Sequence, residues 1–64
     1  MMQVKSGVWV RNSDPEVRIL IERVYKSKDY VDYFYFMCKY TGGGRITKAE
    51  LLDQYTREKR NEEI

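Results

Sequence analysis

The 64-residue chain contains no histidine, and so lacks the usual general base near neutral pH. Its single thiol, Cys38, has no imidazole to activate it. Alternation with Phe34 and Phe36 predicts a buried, inert side chain there. One cysteine also excludes an internal disulfide framework, and without histidine a zinc knot has too few ligands. The carboxylates are dispersed among basic residues, as on a solvated surface. Even the closest mid-chain pair, Asp29 and Asp32, merely flanks a turn and a strand start. No calcium loop is present, since that needs several oxygen ligands within about a dozen residues. Gly42-Gly43-Gly44-Arg45 could cradle a phosphate with backbone amides. A P-loop, however, runs from Gly-Lys-Ser/Thr into a helix, whereas here Ile46-Thr47 follows, so a hairpin tip is expected. The expectation is a protein that is not an enzyme and carries neither metal nor cofactor.

Two patterns suited to binding remain. Along one stretch, Tyr33, Tyr35 and Met37 fall on one strand face and Phe34, Phe36 and Cys38 on the other. If the more apolar phenylalanines fill the core, the tyrosines and methionine are presented outward, and these types are enriched at protein interfaces. Arg23, Lys39 and Arg45 would form the rim. Such a face fits another protein, or a second copy of this chain, which would relieve a marginal core. The alternative is a nucleic-acid surface of interleaved aromatic and basic residues, Trp9, Arg11, Tyr25, Lys26 and Lys28. Against it, Glu22, Asp29 and Asp32 interrupt the run, and Trp9 reads more naturally as a core anchor.

Four segments must position these residues. Val8-Trp9-Val10-Arg11 is β-prone and closes on the turn formers Asn12-Ser13-Asp14-Pro15. The stretch from Val17 to Tyr25 reads two ways. As a helix it would be capped by Asp14, with Pro15 first and a stripe of Val17, Leu20, Ile21, Val24 and Tyr25. As a strand it would place Val17, Ile19, Ile21 and Tyr25 on one face with Arg23, while Leu20 and Val24 break the alternation, and Asp14-Pro15 would open a type I turn. Local physics leaves both open. Tyr30 to Tyr40 is a long aromatic strand, and the triple glycine predicts a tight reversal after Thr41. Thr47-Lys48-Ala49-Glu50 is a capping box, so a short helix starts at about Lys48, with Leu51, Leu52 and Tyr55 toward the core.

This layout resembles small phage and prophage proteins with an SH3-like barrel. The likeness rests on Gly7-Val8-Trp9-Val10-Arg11, on Val17-Arg18-Ile19 with Val24, on Tyr30 to Tyr40, and on Ala49-Glu50-Leu51-Leu52 with Tyr55. It covers about residues 4–57 and favours the strand over residues 15–25. It implies a small antiparallel barrel or strongly bent sheet with a short C-terminal helix, acting on a host or phage macromolecular machine as a modulator or inhibitor. The acidic-aromatic motif of peptide-binding SH3 domains is missing.

Bulk properties agree with a single small domain, ordered over about 4–57, with a charged tail over 58–64 that frays. A chain this short buries only about 60% of its extended surface. With 42% hydrophobic residues and one proline it is nevertheless too apolar for a disordered chain. Twelve Lys/Arg against ten Asp/Glu leave a net charge of +2, well below the concentrated charge of dedicated nucleic-acid binders. No apolar run approaches the ~20 residues that span a bilayer. Met1-Met2-Gln3-Val4-Lys5 lacks the regions of a signal peptide. The unpaired Cys38 suits a reducing interior, so no membrane and a cytoplasmic location are expected.

Overall fold

The computed structural model describes residues 4–58. The chain begins with β1 (Gly7–Arg11), in which Trp9 points inward and is 3% exposed. Its indole N–H donates to the Lys5 carbonyl oxygen at 2.9 Å, so burying the ring strands no polar group. Asp14, Pro15 and Glu16 make a turn: the Val17 N–H donates to the Asp14 carbonyl oxygen at 2.9 Å, and the Asp14 carboxylate accepts from the Glu16 N–H at 3.2 Å. The Asp-Pro-Glu signal that also fits a helix start is used here to reverse the chain. β2 (Arg18–Ile21) returns antiparallel to β1, with Trp9 opposite Ile19. Val17, Ile19 and Ile21 are all buried, a period of two that selects the strand over the helix for this segment.

β3 (Tyr30–Tyr35) pairs with β2 through Ile19↔Tyr35 and Leu20↔Phe34. It is shorter than the expected run to Tyr40: Met37 takes a left-handed φ of 51°, ending the extended backbone. The loop closes where the Tyr35 N–H donates to the carbonyl oxygen of Gly42, itself at φ 97°. Only Gly42 therefore serves the reversal. Gly43 and Gly44 begin β4 (Gly43–Thr47) instead of forming the hairpin tip. A Cβ on Gly43 would stand 2.3 Å from the Tyr33 carbonyl oxygen, and one on Gly44 would meet the Tyr33 hydroxyl at 2.9 Å. These two glycines answer a need for close approach to β3.

The capping box forms as its spacing requires. Thr47 Oγ1 accepts from the Glu50 N–H at 3.1 Å and opens α1 (Lys48–Gln54). The helix lays Leu51, fully buried, on the sheet and passes directly into β5 (Tyr55–Arg57), which pairs with β1 through Trp9↔Arg57. Tyr55 is a core residue, as expected, but it belongs to this strand and not to the helix.

The strand order is β4-β3-β2-β1-β5. In a flat sheet the two edges would lie about 19 Å apart, four strand spacings. A helix of seven residues spans only about 10 Å. The sheet bends accordingly, and α1 bridges its edges without their pairing. Among the described residues the outcome is mainly β: one open, bent antiparallel sheet with one short helix on its concave face. The core cluster is Trp9, Ile19, Ile21, Val31, Leu51 and Tyr55. Fraying over 59–64 concerns positions outside the described residues. Glu58 is held, its N–H donating to the Val8 carbonyl oxygen and its carboxylate paired with Arg18.

Candidate functional site

Side-chain alternation along β3 decides which rings meet solvent. Val31, Tyr33 and Tyr35 share the concave face. Val31 is buried, and both tyrosines pack against the core. Their rings meet edge to face, with centroids 5.5 Å apart. Burial, followed by the hydrogen bond to Tyr35, raises the Tyr33 phenol above its ordinary value. The convex face carries Tyr30, Asp32 and Phe34, and Phe34 is 52% exposed. The expected assignment of faces is thus inverted: the tyrosines are inside and the phenylalanine outside. Met37 shares neither face. It stands 79% exposed on the β3–β4 loop.

The exposure of Phe34 has a local cause. Across β3 its row runs Val8, Leu20, Phe34, Gly43. Val8 is buried, Leu20 is half-buried, and Gly43 offers no side chain to cover the ring. Next to Phe34, β2 ends at Ile21 whereas β3 starts as early as Tyr30, so β3 overhangs its neighbour. The β2–β3 loop does not fill the space left. A cleft of about 330 Å³ opens there, with Val31 below, Tyr25, Tyr30 and Phe34 as aromatic walls, and Glu22, Arg23, Lys28 and Asp32 around it.

Several contacts hold this cleft in shape. The Arg45 Nε donates to Asp32 Oδ1 at 3.0 Å while its guanidinium lies over the Tyr30 ring, 4.1 Å from the centroid. The Lys48 ammonium donates to the Tyr25 carbonyl oxygen at 2.6 Å, and the Lys48 N–H to the Asp29 carbonyl oxygen at 2.7 Å. Both tie the loop to the start of α1. Hydrogen bonding to the Tyr25 side chain, reinforced by its charge, raises the Arg23 guanidinium above its usual value. Tyr25 itself is 53% exposed.

The structure thus regroups the residues singled out in the sequence. Arg23, expected at the rim of a protein-binding face, lines the cleft with Tyr25 and Lys28, expected to hold nucleic acid; Arg45 reaches it only through Asp32 and Tyr30, and Lys26 is exposed on the same turn. Trp9 is buried and cannot stack on a base. Arg11 lies at the opposite end of β1, its Nη2 donating to the Tyr55 hydroxyl at 3.0 Å. That bond raises the guanidinium above its usual value. Lys39 sits on the β3–β4 loop with its ammonium 5.4 Å from the Tyr40 ring centroid. Cys38 also belongs to this loop. It is half-buried, its Sγ 3.6 Å from the Arg18 carbonyl oxygen, and it is not a strand residue of the core. Phe34 and Tyr30 are the site residues that sequence reasoning missed, and Asp32 was the available signal, since a charge at i−2 on a strand marks the face of Phe34 as the wet one.

Among the described residues no group of three or more His, Cys, Asp or Glu could hold a metal ion. No helix among them is long and apolar enough to cross a membrane. Comparison with protein-family models, with curated proteins and with solved structures finds no match.

Proposed function

We propose that the chain is a non-enzymatic binding module that docks another protein on the convex face of its sheet. Phe34 and Tyr25 supply the apolar contact, Tyr30 the wall between them, and Arg23, Lys28 and Arg45 the rim. The observation that carries this reading is Phe34, a large apolar ring half exposed on an ordered strand beside an aromatic cleft. Interface hot spots favour such rings on preorganised backbones with charged residues at the margin. Charges of both signs border the cleft, which suits a protein surface better than a uniformly negative phosphate chain. The resemblance to small phage proteins adds a partner class, a host or phage machine whose activity the bound module modulates or inhibits.

Co-purification of partners from host lysate tests this. Phe34→Ala is expected to keep the circular dichroism spectrum of the wild type and to lose the captured partner. Undiminished capture by Phe34→Ala would remove the convex face from consideration. The nucleic-acid reading retains only Tyr25, Lys26 and Lys28 of its five residues. It requires a low-salt gel shift of labelled RNA or single-stranded DNA that disappears on charge reversal of Lys26 and Lys28.

A further inference from the structure

We propose that the outer edge of β4, which pairs with no strand among the described residues, pairs with β4 of a second copy of this chain, forming a twofold dimer with a continuous ten-stranded sheet. This edge adjoins the convex cleft and shares Phe34 and Arg45 with the docking face, but the pairing is carried by the main chain of β4 and does not depend on that docking. The Tyr35 N–H donation to Gly42 fixes the alternation along the strand. Gly42, Gly44 and Ile46 direct their main-chain groups toward β3, and Gly43 and Arg45 direct theirs away from it. Both are exposed, so their N–H and C=O groups form a template for another strand.

The two edges of the sheet differ in how they are protected. β5 is only three residues long, and short edges are poor templates. β4 is five residues long and carries neither proline nor lysine. Its one charge, Arg45, is folded back over Tyr30 onto Asp32 and leaves the edge uncovered. Two successive glycines remove side chains from both faces at its start.

Self-pairing has a register that this sequence satisfies. With Gly44 on the twofold axis, Gly43 lies opposite Arg45 of the other copy, and Arg45 opposite its Gly43. Every outward N–H and C=O of these residues then finds a partner. The two arginines sit diagonally instead of face to face, which avoids the like-charge opposition that destabilises a sheet. Each Arg45 remains neutralised by its own Asp32. On the concave face the Tyr33 ring, whose hydroxyl already reaches over Gly44, would meet its symmetry mate above the axis. On the convex face Phe34 would extend past Gly43 toward the other copy. The contact is isologous, so it closes at two copies and does not propagate.

An interface this small is weak, so sedimentation equilibrium of the full chain from roughly 10 µM to roughly 1 mM is the appropriate measurement. The expected result is a mean mass rising from 7.7 kDa toward twice that value. A mass that stays at 7.7 kDa across the range overturns the proposal. Total synthesis of the chain with an N-methyl group on the Arg45 amide blocks the edge and spares the β3–β4 ladder. That variant is expected to keep the wild-type circular dichroism and to stay monomeric, and dimerisation equal to the wild type would overturn the edge assignment. Tyr25→Ala is expected to dimerise as the wild type does; loss of the dimer there would move the contact to the cleft and overturn the proposal.

Discussion

The two faces of β3 hold similar rings in opposite circumstances. On the concave side, Tyr33 and Tyr35 continue a line that begins at buried Val31. They pack on each other and on the core, with their hydroxyls at its margin. On the convex side, Phe34 follows Asp32 and looks into solvent across a glycine. The most apolar side chain of the strand is the one left outside. Hydropathy ranking alone therefore does not choose a face. Register chooses it, and the register of β3 is set by what β2 and α1 must bury. A tyrosine suits the mouth of a small core, where its ring is dry and its hydroxyl wet. A phenylalanine on the wet face lies outside that core cluster, and its exposure is the basis of the docking role proposed for it.

Exchanging polarity across this strand is the strongest way to break the comparison. Val31→Asp places an uncompensated carboxylate in the core at a cost of several kcal/mol, comparable with the ~3–10 kcal/mol expected for the whole domain. The variant is expected to be unfolded at 25 °C by circular dichroism, whereas Asp32→Val at the next residue should fold. Tyr33→Ala removes a half-buried ring and the cover over Gly44. A loss of about 2 kcal/mol is expected in urea titrations, with an unchanged m-value. Thr47→Ala deletes the cap of the helix that covers the concave face and should cost about 1 kcal/mol in the same assay.

A finer contrast is pH. The Tyr33 phenol is held above its ordinary value of 10.0 in the folded state by burial first and by Tyr35 second. The unfolded chain therefore loses this proton at lower pH than the folded one. The contribution is complete below about pH 10 and disappears as pH rises through the folded value. Denaturation midpoints in alkaline buffers should fall above pH 10, and less steeply for Tyr33→Phe than for the wild type. The smallest effect belongs to the convex face, where Phe34→Ser should change stability by no more than about 0.5 kcal/mol. A larger loss would show that the ring supports the fold and would erase the distinction between the faces.

How much of this is written locally can be read from particular residues. The capping box at Thr47 and Glu50 is complete within four positions, so the helix and its Leu51 contact were legible from spacing alone. For Trp9 the sequence offers two readings, a core anchor and a base-stacking ring, and burial at 3% exposure selects the first. Asp14-Pro15-Glu16 carries the same donors and acceptors for a turn as for a helix start, and only the partners of Val17, Ile19 and Ile21 decide between them. The faces of β3 were misjudged because two phenylalanines outweighed Val31 and Asp32, although those two carry the parity. The run of three glycines looks uniform, yet Gly42 bends the chain while Gly43 and Gly44 admit a neighbouring backbone. β5 has no pattern of its own; Tyr55-Thr56-Arg57 is a strand only because β1 lies alongside.

That last pairing also has a kinetic consequence. β1 is an interior strand of the sheet, but one of its two neighbours arrives from the far end of the fold, with Arg57 opposite Trp9. Each of the hairpins β1–β2, β2–β3 and β3–β4 closes a short loop. The enclosure of Trp9 waits for the longest closure of all, which α1 must deliver. Such a chain has little to gain from partial order, because its hairpins keep an open wall until β5 docks. Its folding is therefore expected to be a single cooperative step, limited in rate by one distant contact.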